Sequence, residues 1–191
     1  MTYVIIIGGT GMLSRASREV TSQVDDVLLI ARNPNKLAIE INARPLQLDW
    51  KVKSATEASI GILKSEPKAD ILISWIHDDG LWCLQQFEDL LVKGGRSIRV
   101  HGSAAGDPLE GVKIDPPPPR NDIQRQNIVL GWKEENSRRR WLTDNEISEG
   151  VLTAFKNPKL TSMIVGQIER ISNNIGVDVN TPRAPIFYYS L

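Results

Sequence analysis

The sequence predicts an α/β domain, a doubly wound and mainly parallel sheet of about six or seven strands with helices on both faces. Three observations predict it. Short, wholly apolar, β-branched runs recur along the chain, as strands buried on both faces of a parallel sheet require. Segments with apolar residues at helical spacing separate them, so that strand and helix alternate five times up to residue 106. At 191 residues the chain is long enough for one well-buried domain and short for two, so residues 1–191 are read as a single domain.

Val4-Ile5-Ile6-Ile7 is the first strand, and Gly8-Gly9-Thr10-Gly11 turns it into a helical pattern from residue 13 to about residue 24. Val27-Leu28-Leu29-Ile30-Ala31 is the second, halted by Arg32-Asn33-Pro34-Asn35, after which residues 36–41 supply only a short helix. The third, Pro45-Leu46-Gln47-Leu48, ends at Asp49-Trp50, and residues 52–63 carry a helix that Pro67 closes. Asp70-Ile71-Leu72-Ile73-Ser74-Trp75-Ile76 is the fourth, with His77-Asp78-Asp79-Gly80 as its exit. Residues 81–92 place Leu84, Phe87, Leu90 and Leu91 at helical spacing, and Gly94-Gly95 supplies a C-terminal stop. The fifth strand, Ser97-Ile98-Arg99-Val100, runs out into His101-Gly102-Ser103-Ala104-Ala105-Gly106.

The alternation then breaks. Pro108 and Pro116-Pro117-Pro118-Pro119 cannot sustain a helix, so residues 107–122 read as an extended, Pro-rich connector. Strand character returns at Ile128-Val129-Leu130. Thr143-Asp144-Asn145-Glu146 is a capping box, with Leu142 and Ile147 placed for the hydrophobic staple, and it opens a helix to about residue 156. Residues 162–168 read as the last strand, and a C-terminal arm follows from about residue 170.

Composition narrows the function classes. Lysines plus arginines number 23 and aspartates plus glutamates 23, which gives no sign of a nucleic-acid or acidic-membrane partner. Arg138-Arg139-Arg140 follows Glu134 and Glu135, and reads as a mixed-charge, solvated surface and not a phosphate patch. The lone Cys83 excludes an intrachain disulfide and a multi-cysteine metal site, and its neighbours Leu81, Trp82 and Leu84 mark it as a buried, inert thiol. The first residues already read as a core strand, and no apolar run approaches a membrane span, so a soluble cytoplasmic protein is expected. A monomer and a homo-oligomer are both left open.

Right-handed crossovers bring all the strand exits to one side, where ligands of such sheets bind. Glycines at the first exit let the backbone turn tightly, and the following helix aims its N–H groups and positive dipole end at that spot, which suits a pyrophosphate. The second exit chooses between dinucleotides. A carboxylate there binds the ribose hydroxyls of NAD, whereas a 2′-phosphate needs a cation; Ala31 takes the acidic place and Arg32 stands beside it, which favours NADP(H) over NAD(H). Arg32 can also be read as a solvated loop cation. Asp49 either accepts from the adenine amino group or caps the next helix. His77 and His101 close the fourth and fifth strands, as acid–base groups beside a nicotinamide or as hydrogen-bonded structural residues. With Asp78 and Asp79 they have no recognised ligand spacing, and no metal is expected. A hydrolase triad through Ser103 and His101 lacks a nucleophile elbow.

Gly8-Gly9-Thr10-Gly11-Met12-Leu13, Ala31-Arg32-Asn33 and Leu48-Asp49 together resemble the cofactor half of the short-chain dehydrogenase/reductase superfamily, a Rossmann-fold family, and are closest to its atypical NADP-binding members. The resemblance covers roughly residues 3–106. It implies that Gly8, Gly9, Thr10 and Gly11 hold the pyrophosphate, Arg32 the 2′-phosphate and Asp49 the adenine. Met12, Leu13, Asn33 and Trp75 complete the implied cofactor set. Ser14 stands where a third glycine is usual. Ser103-Ala104-Ala105-Gly106 matches the turn that carries the family's catalytic serine, yet the family's Tyr-x-x-x-Lys is absent: the tyrosines are Tyr3, Tyr188 and Tyr189. The expectation is an oxidoreductase on a small carbonyl or alcohol, with Ser103 and one of His77 and His101 assisting. The competing expectation is a catalytically inert dinucleotide sensor or protein-interaction module.

Overall fold

The computed structural model describes residues 1–77, 80–102 and 120–168, and the backbone of 187–189. Each apolar run of the first half forms a strand there: β1 (Tyr3–Ile7), β2 (Asp26–Ala31), β3 (Arg44–Gln47) and β4 (Ala69–Trp75), then β5 (Leu91–His101). Between them lie α1 (Ser14–Thr21), α2 (Asn35–Ile41), α3 (Lys53–Leu63) and α4 (Leu81–Glu88). The second half adds β6 (Gln124–Leu130), the hairpin β7 (Trp132–Glu135) and β8 (Arg138–Trp141), then α5 (Asp144–Lys156), β9 (Ser162–Val165) and β10 (Phe187–Tyr189).

Apart from the hairpin, the strands form one eight-stranded sheet in the order β3-β2-β1-β4-β5-β6-β9-β10, and every pairing in it is parallel. The strand period of two splits the apolar residues between two faces. Val4, Ile6, Leu29 and Ile73 face a cluster built with α1, α2 and α5, whereas Ile5, Ile7, Ile30 and Leu72 face one built with α3 and α4. The expected doubly wound architecture is therefore observed. Its strand order reverses between β1 and β4, which opens a crevice at their carboxyl ends.

Several boundaries depart from the sequence reading. The fourth helix stops at Glu88, and the strand begins as early as Leu91, which pairs with Ala69. Gly94, at φ 80°, does not end a helix; it adopts a left-handed conformation inside β5, where the register with β4 shifts, and its N–H reaches Asp122 O at 2.7 Å. Glu88 itself is fully buried between Arg99, at 2.9 Å, and Arg125, at 2.7 Å, so α4 ends on an internal ion cluster. Strand β9 ends at Val165, before residue 168, because Gln167 turns back to exchange hydrogen bonds with Trp132. Nor is it the last strand: β10, within the C-terminal arm, joins the sheet edge beside it.

The mixed-charge stretch is solvated as expected, with Glu134, Glu135, Arg138 and Arg139 exposed, and it is folded into the hairpin. Glu135 lies opposite Arg138 and Glu134 opposite Arg139, across a two-residue turn in which Asn136 and Ser137 both have positive φ, 50° and 58°. Such turns match the twist of a hairpin. The capping box forms as the sequence predicts, with Thr143 Oγ1 accepting from Glu146 N–H and the Glu146 carboxylate accepting from Thr143 N–H. Cys83 is buried, its S–H set against Gly80 O, and burial pushes its thiol up to about 11. Residues 107–119 of the Pro-rich connector lie outside the described residues. Among the described residues, no helix is long and apolar enough to cross a membrane.

Candidate functional site

The three glycines at the exit of β1 do different jobs. Gly8 has φ 75°, gives its N–H to Ile30 O, and lies so close to β4 that a Cβ would run into the Trp75 carbonyl oxygen. Gly9 is packed into the core, where a Cβ would lie 2.5 Å from Ser17 Oγ and 2.8 Å from Leu29. A Cβ on Gly11 would meet nothing within 4 Å. Gly11 therefore opens onto free space at the mouth of the crevice, where a ligand can approach the backbone.

That space is a cleft of about 230 Å³. Gly8, Thr10, Gly11 and Met12 form its floor, Ala31, Arg32 and Asn33 its rim at the end of β2, and Trp50, Trp75 and His77 the remaining wall. Ala31 is buried, so no carboxylate stands at the end of β2. Arg32 is exposed, and among the described residues its guanidinium has no hydrogen-bond or ion-pair partner. Leu13, named with the cofactor residues from the sequence, is buried in the core, where its backbone caps α1. Ser14, in the place of the third glycine, opens α1 and gives its N–H to Gly11 O.

Helix α5 braces this turn from behind. Ser148 Oγ donates to Met12 O at 3.0 Å and accepts from Ala16 N–H at 3.3 Å, while Arg15 pairs with Glu149 at 2.7 Å. The helix-capping alternative for Asp49 is not observed. Its Oδ1 accepts from Lys51 N–H at 3.1 Å, whereas α3 starts from Val52 with no side-chain cap. Asp49 is not among the residues that line the cleft. Trp50, its neighbour, is buried and lines it, a residue the sequence does not single out.

The two histidines part company. His77 is exposed on the cleft wall with its ring edge-on to Trp75, centroids 5.2 Å apart. His101 is buried on β5, with Nε2 3.1 Å from Asn127 Oδ1, and does not line the cleft. Ser103, Asp78 and Asp79 lie outside the described residues. Tyr3 begins β1, at the opposite end from the glycine turn, under the Arg44 guanidinium, and burial raises its phenol above the ordinary value. It cannot serve the cleft. Among the described residues no group of three histidine, cysteine or acidic side chains is placed to hold a metal ion.

A second cleft, of about 310 Å³, adjoins the first through Met12 and Trp75. Gly102, Leu130 and Gly131 bring it the ends of β5 and β6, Trp141 and Leu142 the end of the hairpin, and Ile147 the first turn of α5. The hairpin is clamped in place. Glu146 receives Arg140 Nη1 at 2.9 Å and Nη2 at 3.0 Å, and Lys133 Nζ at 2.8 Å. The Arg140 guanidinium first, then Lys133 and the Thr143 backbone, hold the Glu146 carboxyl well below the usual carboxylate range, against the opposing effect of burial. The sequence signals for this wall, Trp141-Leu142 directly before a capping box, identify a helix start and say nothing of a cleft.

Solved structures share this architecture. The chain superposes on an alcohol dehydrogenase from the archaeon Thermococcus sibiricus, complexed with 5-hydroxy-NADP, with TM-score 0.62, 17% identity and coverage of 91% of this chain and 100% of that one. A short-chain dehydrogenase from Sphingobium yanoikuyae in complex with NADPH gives 0.62, with 14% identity over 86% and 87%. An NADH-dependent reductase complexed with NAD gives 0.59, with 12% identity over 86% and 95%. No protein-family model and no curated protein sequence matches the chain. At these identities the likeness is one of fold, and that fold is the Rossmann-like one of the short-chain dehydrogenases.

Proposed function

We propose that the chain binds a nicotinamide dinucleotide, NADP(H) in preference to NAD(H), and acts with it as an oxidoreductase on a small carbonyl compound or alcohol. One observation carries the reading: Arg32, unpartnered among the described residues, and an open Gly11 face the same cleft, with the uncharged Ala31 where a carboxylate would serve NAD. The structural neighbours were solved with NADP-type and with NAD ligands, so their fold supports a dinucleotide and the choice between the two rests on Arg32. A guanidinium offers a 2′-phosphate two parallel hydrogen bonds, whereas a ribose hydroxyl gains little from it.

The residues fit such a ligand. Backbone at Thr10, Gly11 and Met12, at the N-terminus of α1, suits a pyrophosphate. Trp50 and Trp75 supply apolar walls, and Asn33 continues the rim beside Arg32. When bound, the dinucleotide exchanges a hydride with the carbon of the carbonyl or alcohol. This chain must then handle one proton, delivered to the carbonyl oxygen during reduction and removed from the hydroxyl during oxidation. His77 is the described side chain on the cleft wall that can do so, because its ring nitrogens can give or take a proton and it is open to solvent. Ser103, expected from its turn, is assigned the orienting role. The absence of Tyr-x-x-x-Lys favours a second reading, a dinucleotide sensor without turnover. A cytoplasmic location belongs to either reading.

Thermal unfolding with NADPH, NADH and neither tests the first claim. NADPH should raise the unfolding temperature more than NADH, and Arg32→Glu should abolish that preference; equal shifts in the unaltered chain overturn it. A carbonyl panel followed by NADPH oxidation tests the second. His77→Ala should lower turnover about a hundredfold. Turnover unchanged in His77→Ala, His101→Ala and Ser103→Ala alike would remove the catalytic assignment, and no turnover on any carbonyl leaves the sensor.

A further inference from the structure

We propose that the second cleft takes an uncharged, ring-bearing carbonyl compound or alcohol, and that Trp141 selects it. The inference rests on the dinucleotide reading for what is done to that compound, and not for its binding.

The cleft shares Met12 and Trp75 with the first, so a molecule lodged in it lies beside whatever occupies the other. Leu130, Leu142 and Ile147 line it with the two tryptophans, and none of the described lining residues carries a charge. A carboxylate or ammonium group entering here would give up water without gaining a charged partner among those residues, which costs binding energy. An aromatic or alicyclic ring loses nothing by leaving water, and gains offset or edge contact with the indoles. Volume points the same way: about 310 Å³ holds a molecule of one or two rings and is far more than a two- or three-carbon carbonyl needs.

Trp141 is the unusual wall. It is 72% exposed, though an indole face of that size is ordinarily covered. Its exposure is not the looseness of a free loop. The two-residue turn closes the hairpin that carries it, Arg140 and Lys133 fasten that hairpin to Glu146 on α5, and Arg140 Nη1 also donates to Trp141 O at 2.9 Å. A rigid mount that holds an exposed apolar ring on the wall of an apolar cleft is suited to stacking on a flat ligand, which the ring covers and which in turn covers the ring.

The chain without cofactor is titrated with 2-acetylnaphthalene and with its carboxylate analogue, 6-acetyl-2-naphthoate, and binding is read by equilibrium dialysis and tryptophan fluorescence. The uncharged ketone should bind, and the carboxylate at least about ten-fold more weakly. Trp141→Ala should weaken the ketone about ten-fold, and Trp141→Phe should recover most of the loss. Since Trp141 is exposed, its unfolding temperature and NADPH shift serve as the fold control. Equal affinity for the two naphthyl compounds, or a ketone affinity unchanged in Trp141→Ala, overturns the proposal. No ketone binding beside an intact NADPH shift overturns it while leaving the dinucleotide reading in place. Ketone binding that depends on Trp141 in a chain with no NADPH shift supports the cleft assignment and overturns the dinucleotide reading instead.

Discussion

The two clefts that meet at Met12 and Trp75 are made by different means. The first is made largely of backbone: a turn that Gly8 bends, Gly9 packs and Gly11 leaves open, with one arginine on the rim. The second is made of side chains, and its outer wall hangs on a hairpin that belongs to neither layer of the sheet. Backbone recognises what a whole class of ligands has in common, such as a pyrophosphate, and constrains the sequence tightly. Side chains on a clamped insertion can change without disturbing the sheet, so that is where one protein of the fold can differ from another.

Substitutions can break this contrast, and the largest effect belongs to the backbone cleft. Gly9→Val should destabilise the domain by about 3 kcal/mol, because the new side chain must enter a packed space between Ile6, Ser17 and Leu29; urea unfolding at pH 7 measures it. Next comes the clamp. Glu146→Gln should cost about 1–2 kcal/mol by the same measurement, through the weakened cap and the loss of charge pairing with Arg140 and Lys133. The pH dependence has a definite sign. The folded-state carboxyl is held below its ordinary value of 4.5, so its stabilisation is complete above that pH and is lost as the pH falls below it. Acid titration should therefore destabilise the unaltered chain more steeply than Glu146→Gln below pH 4.5.

Gly11→Ala sharpens the contrast from the other side. Its Cβ meets no protein atom, so the unfolding temperature without ligand should not change, while NADPH affinity should fall about ten-fold as the methyl group crowds the pyrophosphate site. A chain in which Gly11→Ala binds NADPH as tightly as before would place the ligand elsewhere. The smallest effect is expected at Cys83: with its thiol buried and pushed up to about 11, iodoacetamide at pH 8 should leave it unmodified until the chain unfolds.

How much of this was legible in the sequence follows the same division. Apolar runs such as Val4-Ile5-Ile6-Ile7 and Val27-Leu28-Leu29-Ile30 announce buried parallel strands because nothing else buries them, and the Thr143–Glu146 box announces a helix start because both partners of the cap are local. Gly8, Gly11, Arg32 and Trp75 line the first cleft because it lies where strand exits must converge. Legibility fails where long-range context decides. The hairpin strands carry charged residues between a tryptophan at each end, so they show no apolar alternation, and the turn signal, Asn136-Ser137, is clear only once both are seen in the left-handed region. Gly94-Gly95 looks like a helix stop until Leu91 is found paired with Ala69. Trp50 and Trp141 read as ordinary aromatics beside element ends, and only the packing shows that each lines a cleft.

Ser148 carries one further consequence. It reaches from α5 to Met12 O and Ala16 N–H, and the residue before it, Ile147, lines the apolar cleft, while Glu146, one step earlier, anchors the hairpin. Three successive residues of one helix thus touch the glycine turn, the apolar wall and the hairpin. The start of α5 is therefore common to both clefts. A ligand in one cleft that changed the affinity of the other would, by linkage, have its own affinity changed by the same factor. The order in which two ligands arrive alters the route they take and leaves the strength of the final complex unchanged.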